Sequence, residues 1–148
     1  MRADGPPRRA LESSALEASS EGGTLAGRTN VGELVLQISR IAHAEGQPLL
    51  RPSANLTGYG TKFRAEDAPP EIKACADLVI HHGLRKYHRY ERSSTTINVT
   101  TSEAVRMGAC YEVIRDVLRR HFHVELPPDP GLEALPSGHV REAQRSHG

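Results

Sequence analysis

The chain has 148 residues, 37% of them hydrophobic, with 19 Lys and Arg against 18 Asp and Glu and a formal charge of +1. That length suits one domain and excludes two with separate large cores. The near-zero charge excludes a bulk attraction to polyanions, so any nucleic-acid case has to rest on local clustering.

Residues 1–27 are rich in Ser, Gly, Glu, Ala and Arg and lack aromatics, which predicts a disordered polar tail. They contain no apolar stretch of the kind a secretory signal needs. No run anywhere approaches the ~20 apolar residues that cross a bilayer, so a cytoplasmic location without membrane contact is expected. The sequons at Asn55 and Asn98 are then chance matches. Cys75 and Cys110 are too few for a disulfide framework and lack the close spacing of a zinc or redox motif. Both fall in apolar patterns and are expected to be buried free thiols.

The folded domain is expected over residues 28–122. Val31, Leu34, Val35, Ile38, Ile41 and Ala42 recur at helical spacing. Asn30 and Glu33 are placed for a capping box, and Gly46 supplies a left-handed stop. Pro48-Leu49-Leu50 predicts a short buried strand running into Pro52-Ser53-Ala54-Asn55-Leu56-Thr57-Gly58. Ligands collect at the carboxyl ends of strands in open α/β sheets. Ser53 and Asn55 share a side if the backbone is extended, and Gly58 and Gly60 permit tight turning. The same composition also makes an ordinary Ser/Asn/Gly turn, and local chemistry leaves both readings open.

Beyond the loop, Pro69-Pro70-Glu71 opens a short helix. Ala76–Ile80, Ser94–Val99 and Ala104–Arg106 predict further strands, the last ended by Gly108. Val113, Ile114, Val117, Leu118 and Phe122 form the stripe of a C-terminal helix, with Arg115, Arg119 and Arg120 mostly off it. Strands alternating with helices indicate an α/β fold. His121 and His123 are expected on the surface at the helix end, where the macrodipole favours them. Residues 123–148, with Pro127, Pro128, Pro130 and Pro136, predict a Pro-rich flexible tail.

The local charge concentration is His81-His82-Gly83-Leu84-Arg85-Lys86-Tyr87-His88-Arg89-Tyr90-Glu91-Arg92. Arg85, Lys86 and Arg89 suit RNA phosphates, with Tyr87 and Tyr90 available to stack on bases. A solvated connection between two strands is the other reading, and both stay open. His81, His82 and His88 lack a Cys or a further well-spaced ligand to close a metal site, so no metal is expected.

The run from Gly46 to Gly58 resembles the G-x-P-L-x-x-P-S-A-N-x-S/T-G signature of the YrdC-like family. These are the threonylcarbamoyl-AMP synthases that begin formation of threonylcarbamoyladenosine in tRNA. Asp77-Leu78-Val79-Ile80 with Gly83 is similar to the family's D-L-x-I-D-x-G strand. Ser93-Ser94-Thr95-Thr96-Ile97-Asn98 is similar to its E-S-T-V-V-D strand, with Ser93 and Asn98 where the family is acidic. Val105-Arg106-Met107-Gly108-Ala109 is similar to its L-R-x-G-A turn.

The resemblance implies a twisted open mixed sheet with flanking helices. It implies a nucleotidyltransferase that takes ATP as substrate together with Mg, L-threonine and bicarbonate. Ser53 and Ser94 inherit contacts to threonine; Asn55, Thr61 and Arg106 inherit contacts to the nucleotide, Arg106 at the phosphates. The family is also linked to duplex RNA, which supports a non-catalytic RNA- or tRNA-binding module as the alternative function. The family's P-T-E-T/A-like strand and K-x-R motif, which precede its S-A-N loop, have no counterpart before Arg28. The resemblance therefore implies an incomplete domain, from a truncated or split member, with a partner chain to supply the missing half. It assigns no catalytic residue.

Overall fold

The computed structural model describes residues 16, 17, 19–29, 31–50, 53–56 and 59–140. They form a small mixed α/β protein divided into two compact units, residues 1–52 and 53–148. The division falls inside the stretch expected to be one domain.

In the first unit, β1 (Ser20–Glu21) and β2 (Thr24–Leu25) pair antiparallel. Gly22 and Gly23 connect them at φ 56° and 73°, the left-handed pair that a two-residue hairpin turn requires. This hairpin lies in the expected polar tail, most of whose other residues (1–15 and 18) are outside those described. Helix α1 spans Glu33–Ala44. Its N-cap is Gly32, without a side-chain cap bond. Asn30, on which the expected capping box depends, lies outside the described residues; Glu33, the first residue of the helix, accepts from Gln37 Nε2 at 2.5 Å. The C-terminus follows expectation. Gln47 N–H donates to Ala42 O at 2.8 Å and Gly46 N–H to His43 O at 3.1 Å, with Gly46 at φ 69°; this is a Schellman motif.

Two expected strands are absent. Residues 48–50 carry no strand, and Leu49 and Leu50 are 44% and 56% exposed. In the second unit, residues 76–80 carry none either, and Leu78 is 76% exposed. A strand is held by hydrogen bonds to a neighbour, and no described strand pairs with either segment.

The second unit begins with the Ser53 loop and the short helix α2 (Pro70–Ala74), which carries Pro70 in its first turn as expected. Cys75 caps α2 and is exposed, contrary to expectation, while Cys110 is half-buried; both are free. A single 3₁₀ turn, His88–Tyr90, leads to β3 (Thr96–Asn98) and β4 (Glu103–Arg106), an antiparallel pair with Thr96 opposite Arg106. Asn98 Oδ1 accepts from Thr100 and Thr101 N–H and shapes the turn between them. Helix α3 is Tyr111–Phe122. Among the described residues the sheets are two separate antiparallel pairs rather than one open mixed sheet.

The core joins Met107, Tyr111, Leu126 and Leu135, with Ile97, Ala104, Leu118, Val124 and Val140 packed against it. Leu126, Leu135 and Val140 come from the stretch whose proline content suggests a flexible tail. Residues 124–140 instead run as a strap across the unit. Tyr111 Oη donates to Pro127 O at 2.7 Å, and Arg115 Nε to Leu126 O at 2.7 Å. Prolines break helices and strands, but they do not prevent an irregular segment from burying its leucines. No helix among the described residues is long and apolar enough to cross a membrane.

Candidate functional site

Strand pairing brings Arg106 back beside the start of β3. Its Nε donates to Ser94 O at 2.7 Å and its Nη2 to Ser94 Oγ at 3.3 Å. The adjacent Thr95 Oγ1 donates to Ala109 O at 2.9 Å and accepts from Gly108 N–H at 3.2 Å. Ala109 N–H donates to Ser93 O at 2.8 Å, and Ser94 and Ala109 form a parallel bridge. A Cβ on Gly108 would run into Ser93 O and the backbone of Ser94 and Thr95, so the approach requires glycine there. Two separate sequence motifs, Ser93–Thr95 and Arg106–Ala109, are thus one interlocked structure. Thr95 was legible only as a β-branched strand residue, yet its hydroxyl makes two of these bonds.

On the other edge of β4, Met107 N–H donates to Gly138 O at 2.8 Å and Arg106 bridges His139 antiparallel. The strap is anchored by Arg92, which is 5% exposed. Its Nη1 donates to Asp129 Oδ2 at 2.6 Å and to Met107 O at 3.2 Å, and its Nη2 to Gly131 O at 2.6 Å. The Arg92 Nε is buried without a partner. Sequence reasoning left Arg92 in the basic stretch, because its partner Asp129 lies 37 residues away.

Ser53 is exposed and Asn55 half-buried, at a bend over Ala54–Asn55. Asn55 Nδ2 donates to Leu56 O at 3.2 Å, and Tyr59 N–H to Leu56 O at 3.1 Å. The bend removes the extended backbone on which a shared side for Ser53 and Asn55 depended. Thr57 and Gly58 lie outside the described residues; Gly60 has φ 68°, the turning role expected of it. Thr61 is half-buried. The hydrogen bonds that join Ser94 to Arg106 do not reach Ser53, Asn55 or Thr61.

The basic stretch is fastened along one side. Arg85 N–H donates to Phe63 O at 2.8 Å, and His81 Nε2 meets Glu66 Oε1 at 2.5 Å. A backbone hydrogen bond, together with His81 alongside, holds the Glu66 carboxyl below its ordinary range. Lys86 and Arg89 are exposed, with Lys86 Nζ 5.3 Å from the centre of the Tyr87 ring. Tyr90 Oη donates to Glu112 Oε1 at 2.5 Å. That bond, followed by Cys110, pushes its phenol pKa upward. His121 and His123 are exposed at the end of α3. Among the described residues no group of three or more His, Cys, Asp or Glu is placed to hold a metal.

Comparison with protein-family models, curated proteins and solved structures finds no match to this chain. A guanidinium and a hydroxyl, fixed together on one strand pair, form a donor set suited to an anion.

Proposed function

We propose that the chain carries one wall of the ATP and threonine site of a YrdC-like domain, the fold of threonylcarbamoyl-AMP synthases. The observation that carries this reading is the interlock of Ser93–Thr95 with Arg106–Ala109, because the two segments resemble two motifs of one family and meet at Ser94 and Arg106. In this reading Arg106 grips the phosphates of ATP, and Asn55 and Thr61 meet the nucleotide. Ser53 and Ser94 meet threonine. ATP enters with Mg, bicarbonate and L-threonine are aligned beside it, and pyrophosphate leaves. The chemistry is then mainly positioning and charge neutralisation. A partner chain would provide the opposite wall and strand neighbours for residues 48–50 and 76–80, whose leucines are exposed. A cytoplasmic location accompanies this function.

The test is pyrophosphate release by the full chain. Release should require ATP, L-threonine and bicarbonate together, and Arg106→Ala should reduce it. A preparation with a cooperative unfolding transition that releases none overturns the enzyme reading for this chain alone.

A second reading, a non-catalytic module for duplex RNA or tRNA, is favoured by the exposed Lys86 and Arg89 beside Tyr87. It expects salt-sensitive binding to duplex RNA that weakens when Arg85, Lys86 and Arg89 all become Ala. The salt slope should fall by up to about 3, roughly one for each phosphate that no longer meets a cationic side chain. Unchanged binding by that triple variant removes this reading.

A further inference from the structure

The strap carries a Pro-x-x-Pro sequence, Pro127-Pro128-Asp129-Pro130. Residues 123–131 run without a turn or a bend. A proline fixes its own φ at about −65° and keeps the residue before it extended. Prolines at 127, 128 and 130 therefore set most of the dihedrals of Leu126–Pro130 to polyproline II values, and Gly131, at φ 96°, ends the run. The inward contacts repeat with the three-residue period of that helix. Leu126 is buried in the core, and Asp129, three positions on, is held by Arg92. Pro127 and Pro130 then share an outward ridge with Pro128 beside it, and all three are exposed.

The segment is fastened from beneath. Arg115 Nε donates to Leu126 O, Tyr111 Oη to Pro127 O and Arg92 Nη2 to Gly131 O. Among the described residues nothing donates to the carbonyls of Pro128, Asp129 or Pro130. Grooves that recognise polyproline II seat prolines between aromatic rings and add a donor to a ligand carbonyl. A free proline-rich peptide is ordered when it docks, whereas the strap is already ordered by folding, which lowers the entropic cost of binding.

We infer that Pro127–Pro130 is a docking segment for a WW-type domain, a small β-sheet module with a groove of two aromatic rings. Length and charge select this partner. From Pro127 to Pro130 the ridge spans about 9 Å at roughly 3.1 Å per residue, enough for a two-ring groove and too short for a long polyproline channel. No Lys or Arg occurs over residues 124–140, so a groove that reads a cation beside its prolines, as SH3 grooves do, finds none. Glu125 and Glu133 are exposed at either end and suit a basic rim. None of the residues assigned to ATP or threonine takes part.

The chain contains no Trp, so the groove Trp of a recombinant WW domain selected for Pro-Pro-x-Pro ligands reports binding alone. Titrating the full chain into that domain should give a saturable fluorescence change. Pro127→Ala and Pro130→Ala, in preparations whose thermal melts match the parent, should each bind about tenfold more weakly, from the ring methylenes no longer buried. Pro136→Ala, outside the segment, should bind like the parent. No change up to about 1 mM chain, the weak end of specific association, overturns the inference. So does parent-like binding by both Pro127→Ala and Pro130→Ala, or an equal loss in Pro136→Ala. Binding to an SH3 domain and not to the WW domain overturns the choice of partner.

Discussion

At the scale of single residues, two glycines and one arginine decide how closely this chain packs against itself. Gly108 lies against the backbone of Ser93–Thr95, and Gly138 lies against Met107 O at a left-handed φ. Gly108→Ala and Gly138→Ala should each destabilise the second unit by about 2 kcal/mol, from forced backbone displacement and, at Gly138, conformational strain. Urea denaturation measures both. Arg92 has three hydrogen bonds and almost no solvent contact. Arg92→Met should cost about 3 kcal/mol, because Asp129 and two carbonyls lose their donor together. Tyr111 gives a pH dependence. Burial raises its phenol pKa, so the folded chain holds that proton more tightly than the unfolded chain does. Its contribution to stability is complete below about pH 10, the ordinary tyrosine value, and is lost as pH rises through the folded value. Tyr111→Phe should flatten that alkaline decline in a pH series of thermal melts, while losing about 1 kcal/mol with the bond to Pro127.

At the scale of elements, self-contained hydrogen bonding separates what forms from what does not. Helices α1 and α3 lie close to where their apolar spacing predicts, since each helix satisfies most of its backbone internally. The Gly46 stop was readable for the same local reason. Residues 48–50 and 76–80 have strand-like composition, but a strand is completed by another chain segment, and none of the described strands serves. The strap is the opposite case. Its prolines suggested a tail, whereas Leu126 and Leu135 are 3% and 4% exposed in the core. A chain ending at His123 should therefore lose its cooperative thermal transition, as followed by circular dichroism, because Met107 and Tyr111 would be left uncovered.

At the scale of the molecule, the division after Pro52 separates the G-x-P-L part of the family-like signature from its S-A-N part. The candidate site was legible as a list of residue types: Ser53, Asn55, Thr61, Ser94 and Arg106 were all singled out by resemblance. Of these, the described hydrogen bonds bring together Ser94 and Arg106, whereas Asn55 turns its amide to Leu56. The basic stretch likewise divides. Lys86 and Arg89 face solvent, Tyr90 is tied to Glu112, and Arg92 is drawn into the core.

By itself, the sequence determined the features that depend on neighbours in the chain: two amphipathic helices, the glycine stop after α1, and the presence of a Ser-Thr strand ahead of an Arg-x-Gly turn. Only the tertiary structure decided that this strand and turn interlock, that Arg92 reaches Asp129, and that the strap sets His139 opposite Arg106. Those contacts join residues 12 to 37 positions apart. Spacing along the chain carries no trace of them, because they depend on which surfaces meet once the apolar side chains are buried.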